Sequence, residues 1–125
     1  MITCSLITVL IVEDSLSELE LMNHYLDNGD YKIVKSTSAQ EAFEIALKNN
    51  IDAIVTDVVM PEMSGFELCR LLKKNPVTQK IPIIICTSKN QEIDKFWGIR
   101  QGASAYLTKP YTREQLLNTI QSVFA

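Results

Sequence analysis

The sequence predicts a doubly wound α/β domain in which five parallel strands are covered by helices on both faces. Three short runs are almost wholly apolar and rich in β-branched residues, Ile7–Val12, Ile51–Thr56 and Ile81–Thr87. Strands buried on both faces of a parallel sheet read this way. The stretches between them carry helical periodicity. The pattern S/T-x-x-E/Q, in which a hydroxyl caps a helix start and the residue three positions on caps back, recurs at Ser15/Glu18, Ser38/Glu41, Ser64/Glu67 and Thr112/Gln115.

Taken in order, the first run ends in Glu13-Asp14, and Ser15 opens a helix behind it. Tyr31–Ser36 is a more polar strand, suited to a sheet edge, and Ser38 opens the second helix. Ile51–Thr56 leads into Asp57, with Ser64 at the start of the third helix. Ile81–Thr87 precedes a fourth helical stretch, and Ser104–Thr108, again more polar, ends in Lys109-Pro110. In the last helix Leu116, Leu117, Ile120, Val123 and Phe124 form one apolar stripe. Alternating strands and helices call for right-handed crossovers and a parallel sheet.

The 125 residues fit a single domain, 1–125, with one core and no output domain after the fifth helix. A net charge of -3 argues against a surface that neutralises nucleic-acid phosphates. Cys4, Cys69 and Cys86 are odd in number and lack metal-finger spacing, so reduced thiols are expected, Cys69 and Cys86 being packed. No apolar run is long enough to span a bilayer, and no basic leader precedes the first one. The expectation is a cytoplasmic protein with neither nucleic acid nor membrane as partner.

In this class of fold the functional crevice lies beyond the carboxyl ends of the strands. Those ends hold Glu13, Asp14, Asp57, Thr87 and Lys109. Clustered carboxylates repel unless a cation neutralises them. All-oxygen ligation favours Mg²⁺, and no Cys or His stands nearby in sequence to favour zinc. Lys109 offers a fixed cation for a phosphoryl oxygen, Thr87 a hydroxyl donor, and a carboxylate can be the nucleophile that forms an acyl phosphate. Any one of these residues could simply end a strand or cap a helix, and for Thr87 alone the cap is the better reading. Five together indicate a phosphoryl-transfer site.

Four motifs, Val9–Asp14, Asp57–Gly65, Ile83–Ser88 and Gly102–Pro110, make the chain resemble, over essentially its whole length, the CheY-like receiver domains of two-component response regulators. The resemblance implies a flavodoxin-like strand order 2-1-3-4-5. It implies that Asp57 accepts a phosphoryl group from a histidine kinase, and that the protein is a phosphoacceptor with self-catalysed transfer and autodephosphorylation rather than a conventional enzyme. Asp14, Asp57 and the Val59 main-chain carbonyl would ligate Mg²⁺, Glu13 acting through water. Lys109 would pair with the phosphoryl group. Thr87 and Tyr106 would be the switch residues, Val59 and Lys89 the positions that tune phosphoryl lifetime, and Lys109-Pro110 a cis peptide aiming Lys109 at the site. Ser64 departs from the Asp common before the motif glycine.

The stretch Asp94–Gly102 is similar to single-domain receivers of pilus and twitching-motility chemosensory systems. Core packing is the better reading for one of Phe96 and Trp97, and a partner anchor is the other option for the Trp. The implied target face is the fourth helix, fifth strand and fifth helix, on a monomer or a weak phosphorylation-dependent dimer. His24 is assigned a surface or packing role. Other readings are a phosphorylation-independent pseudo-receiver, a flavin-binding domain and a haloacid-dehalogenase-type phosphatase. The first conflicts with the intact acceptor, metal and Lys positions. The second lacks a hydroxyl- and Gly-rich phosphate loop, and the third lacks its DxD motif.

Overall fold

The computed structural model describes residues 6–27, 29–88 and 91–124. Strands β1 (Ile7–Val12), β2 (Tyr31–Ser36), β3 (Ala53–Thr56), β4 (Ile83–Thr87) and β5 (Ala105–Thr108) alternate with helices α1 (Leu16–Leu26), α2 (Ala39–Lys48), α3 (Gly65–Lys74), α4 (Glu92–Arg100) and α5 (Arg113–Ser122). All strand pairs are parallel and the order is β2-β1-β3-β4-β5, the flavodoxin-like arrangement. The two more polar strands lie at the edges, as their composition predicts.

Successive side chains of a strand point to opposite faces, so each central strand feeds two cores. Leu10, Val12, Ile54, Ile83 and Ile85 pack with Ala39, Ala42 and Ala46 of α2 and Leu68, Cys69 and Leu72 of α3. Val9, Ile11, Val55, Ile84 and Cys86 pack with Leu19, Met22 and Leu26 of α1 and Leu116 and Ile120 of α5. The double-sided burial explains why the three central runs carry almost no polar residues. Cys69 and Cys86 are free and buried; Cys4 lies outside the described residues.

Several boundaries and packings differ from the sequence reading. Two apolar runs are two residues longer than their strands. Pro82 has no N–H to give to a ladder, although its carbonyl accepts from Ile54 N–H at 3.0 Å. Asp52 turns its carboxylate back to Thr8 N–H at 2.7 Å. Of the four capping patterns only Thr112/Gln115 closes reciprocally; at Ser15, Ser38 and Ser64 the hydroxyl accepts from the residue three positions on. The α5 stripe ends earlier than its spacing suggests, since Phe124 lies beyond the helix and is exposed.

The largest departure concerns α4. Neither Phe96 nor Trp97 is core: they are 57% and 52% exposed, alongside exposed Ile93 and Ile99. Only Gly98 of this helix is fully buried. A side chain there would begin 3.2 Å from the Tyr106 ring, so the helix approaches β5 through its glycine and turns its large apolar residues outward.

Candidate phosphoryl-transfer site

β1 and β3 are neighbours, while the chain leaves β1 for β2 on the other side. The crevice of a doubly wound sheet opens at such a reversal. Backbone bonding continues one residue past the strands: Glu13 N–H donates to Ser36 O at 3.1 Å, Asp57 N–H to Val12 O at 3.2 Å, and Lys109 N–H to Thr87 O at 2.8 Å. Glu13, Asp57 and Lys109 are therefore fixed by the sheet rather than by loops. The Lys109–Pro110 peptide is cis.

One carboxylate oxygen from each of Glu13, Asp14 and Asp57 can be chosen so that all three lie within 4.8 Å of one another. Asp57 is 8% exposed and Glu13 1% exposed, whereas Asp14 faces solvent. The Lys109 ammonium reaches Glu13 Oε2 at 2.6 Å, Glu18 Oε1 at 3.0 Å and Asp57 Oδ2 at 3.3 Å. The other Asp57 oxygen, Oδ1, accepts from Val58 N–H at 2.7 Å, and Glu13 Oε1 accepts from Ser15 N–H at 3.3 Å.

One ammonium cannot neutralise so many carboxylates. Burial pushes Glu13 up to about 7, with the Asp57 charge adding to the rise and the Lys109 hydrogen bond opposing it. Burial would lower Lys109, but its bonds to Glu13 and Glu18 and the Asp57 charge outweigh it and hold the ammonium well above its ordinary value. Burial, with Asp94 and Asp57 nearby, also raises Tyr106 to about 12. An uncompensated group of hard oxygen donors suits a divalent cation such as Mg²⁺ and gives a softer metal no nitrogen or sulfur ligand.

The loop after Asp57 returns at Gly65, whose N–H donates to Val58 O at 2.9 Å. A Cβ at this position would fall 2.0 Å from the Asp57 carbonyl oxygen. The glycine that ends the Asp57–Gly65 motif is thus a steric requirement, and Ser64 caps α3 beside it, accepting from Glu67 N–H at 3.2 Å.

Thr87 is buried at the end of β4, paired in register with Thr108. Tyr106 is half-buried on β5, its ring against Gly98. Val59, two residues beyond Asp57, is exposed, and Lys89 lies outside the described residues. His24 is exposed on α1, remote from this rim in its contacts: its carbonyl accepts from Arg113 and its ring neighbours Tyr25. Sequence reasoning missed Glu18, which it read only as a capping partner. It also missed the groove of about 480 Å³ beside the site, lined by Glu18, Leu21, Tyr25, Asp57, Ser88, Lys109, Pro110 and Tyr111.

The response regulator receiver domain family matches residues 9–121. The chain is 41% identical over 117 residues to Protein PilH of Pseudomonas aeruginosa, covering 94% of this chain and 97% of that protein. It is 34% identical over 116 residues to the phosphate regulon transcriptional regulatory protein PhoB of the same species, where 93% of this chain spans only 51% of the relative. Among solved structures, the chemotaxis response regulator CheY4 of Vibrio cholerae superposes with a TM-score of 0.89 at 33% identity, covering 95% of this chain and 99% of that one. A response regulator from Chloroflexus aurantiacus gives 0.91 at 29% identity, covering 95% and 98%.

Proposed function

Because the chain belongs to the response regulator receiver family, we propose that Asp57 accepts a phosphoryl group from a partner histidine kinase in a Mg²⁺-dependent reaction, and that phosphorylation switches binding to a separate target protein. The observation that carries this reading is the position of Asp57: one oxygen held by Val58 N–H, the other 3.3 Å from the Lys109 ammonium, and one of the two within 4.8 Å of an oxygen from each of the Glu13 and Asp14 carboxylates.

The Asp57 carboxylate attacks phosphorus in line with the bond to the donor nitrogen. The O–P bond forms as the N–P bond breaks, and the imidazole leaves with the electron pair. Asp14, Asp57 and the Val59 carbonyl would hold the metal, with Glu13 acting through water, and a Mg²⁺ held there would supply positive charge against the phosphoryl oxygens. Lys109 moves its hydrogen bond from Asp57 Oδ2 to a phosphoryl oxygen as Asp57 loses its charge. The Thr87 hydroxyl bonds a second oxygen, and Tyr106 repositions with it. Hydrolysis of the acyl phosphate resets the site at a rate tuned by Val59 and Lys89.

The target docks on the face of α4, β5 and α5, where Ile93, Phe96, Trp97 and Ile99 stand exposed. We read the chain as a stand-alone, cytoplasmic signalling domain, monomeric or weakly dimeric when phosphorylated, in a pilus or twitching-motility type of pathway; the match to nearly all of PilH supports the stand-alone part of this reading. Phosphotransfer from candidate kinases tests the reading. Label is expected on the wild type and not on Asp57→Asn, with a change in Trp97 fluorescence on labelling. No transfer from any kinase or small phosphodonor in the presence of Mg²⁺ refutes it, and an Asp57→Asn variant that kept full signalling in cells would mark a phosphorylation-independent module instead.

A further inference from the structure

The Lys109 ammonium has three N–H donors and three carboxylate partners, Glu13 at 2.6 Å, Glu18 at 3.0 Å and Asp57 at 3.3 Å. Glu13 and Asp57 belong to the reaction proposed above. Glu18 does not. It stands in the first turn of α1 with its side chain 47% exposed, where the groove past Leu21, Tyr25, Pro110 and Tyr111 opens toward Asp57.

Glu18 is not needed to bring Lys109 to the rim. The backbone at Lys109 is tied to Thr87 O, and the buried Glu13 carboxylate holds the ammonium at the shortest of the three distances. At the start of α1 it is the Ser15 hydroxyl that accepts from Glu18 N–H, while the Glu18 carboxylate turns to Lys109. What Glu18 adds is a negative charge, in the groove beside Asp57 and on the cation that an anionic donor needs. A phosphoryl group entering the site competes with Glu18 for a Lys109 N–H and is repelled by its carboxylate.

We propose that Glu18 is a positioning residue that restrains phosphoryl transfer, drawing Lys109 toward α1 and slowing reaction with anionic phosphodonors. The inference rests on Asp57 being the acceptor. With acetyl phosphate, the Asp57 oxygen bonds to phosphorus as the phosphorus–oxygen bond to acetate breaks. Acetate leaves with the electron pair, charge is conserved, and neither proton nor redox partner is required.

The test measures labelling rates of the whole chain with Mg²⁺ by intact mass. Glu18→Gln reacts with acetyl phosphate about two- to fivefold faster than wild type, the range expected for one partly exposed charge contact. Glu18→Asp keeps the charge and stays near the wild-type rate. Phosphoramidate carries less net negative charge at neutral pH, so its gain is smaller; a purely structural effect would move both donors alike. Glu18→Met, uncharged and of similar length, gives the same pattern and serves if the Gln variant folds poorly in a thermal melt. Neutral variants at or below the wild-type rate, or equal gains with both donors, overturn the proposal while leaving Asp57 labelled. A wild type that takes up no phosphoryl group overturns the acceptor reading itself, and this inference with it.

Discussion

Replacing Asp57 by Asn is expected to stabilise the metal-free protein and to weaken its response to Mg²⁺. Asparagine keeps the shape, and its side-chain oxygen can still accept from Val58 N–H, the contact that Asp57 Oδ1 makes at 2.7 Å. The change is therefore mainly one of charge. Two carboxylates with oxygens within 4.8 Å of each other repel by at least about 3.5 kcal/mol at an effective dielectric near 20. The Lys109–Asp57 attraction at 3.3 Å comes to about 5 kcal/mol on the same scale. Asp57 meets Glu13 at about 3.5 kcal/mol and the more exposed Asp14 at a screened value of about 2.5 kcal/mol, so the repulsions exceed the attraction by about 1 kcal/mol. Urea unfolding in EDTA at mildly alkaline pH, where Glu13 is ionised, measures the gain, which corresponds to a Tm rise of about 3–5 °C. With Mg²⁺ the order reverses, because the wild type keeps a ligand that the variant has lost. An Asn variant no more stable than wild type in EDTA, or one that Mg²⁺ stabilises equally, refutes the charge argument.

Gly65→Ala is expected to cost more than about 3 kcal/mol, because the added Cβ would collide with the Asp57 carbonyl oxygen and backbone on both sides must shift; a thermal melt unchanged from wild type would contradict this. Glu13 supplies a pH dependence with a definite sign. Its carboxyl rises from 4.5 to about 7 on folding, so between those values the folded state holds a proton that the unfolded state has released, and stability falls as pH rises through that window, by on the order of 1–3 kcal/mol. Chemical denaturation in EDTA across the window checks it, with Glu13→Gln expected to flatten the slope and Mg²⁺, which needs the ionised form, to oppose it.

The fold was legible because local signals agreed. The apolar runs, the edge-like strands at Tyr31–Ser36 and Ser104–Thr108, and hydroxyls in the gaps all named the same architecture. Apolarity marked burial rather than hydrogen bonding, which is why the predicted runs began at Ile51 and Ile81, short of the ladder's true start at Ala53 and Ile83. The α4 helix misled because Phe96 and Trp97 are residues that ordinarily fill cores. The contact that decided their exposure is tertiary, Gly98 against Tyr106, and spacing within α4 carried no trace of it. Glu18 was hidden for a related reason: a local motif already accounted for it, and the partner that claims its carboxylate is 91 residues away.

The division of labour between core and rim explains how such a site persists. A buried Lys–carboxylate group is poor evidence for stability, since desolvation can exceed the Coulombic gain. Here the two apolar layers hold the sheet, and the sheet's backbone bonds fix Glu13, Asp57 and Lys109 whatever their charges prefer. The rim can then keep a conflict that the side chains would not hold on their own: too many carboxylates for one ammonium, and a Glu13 that retains a proton close to neutral pH. A divalent cation relieves the first imbalance. In the proposed reaction, phosphorylation would move charge from the Asp57 carboxylate outward onto a phosphoryl group and free the Lys109 N–H that faces Oδ2. On the proposed reading both steps would act on groups whose backbone is tied into the sheet, so the resulting change would be directed to side chains at its edge, the Thr87 hydroxyl and the Tyr106 ring seated on Gly98 beneath the exposed apolar face of α4.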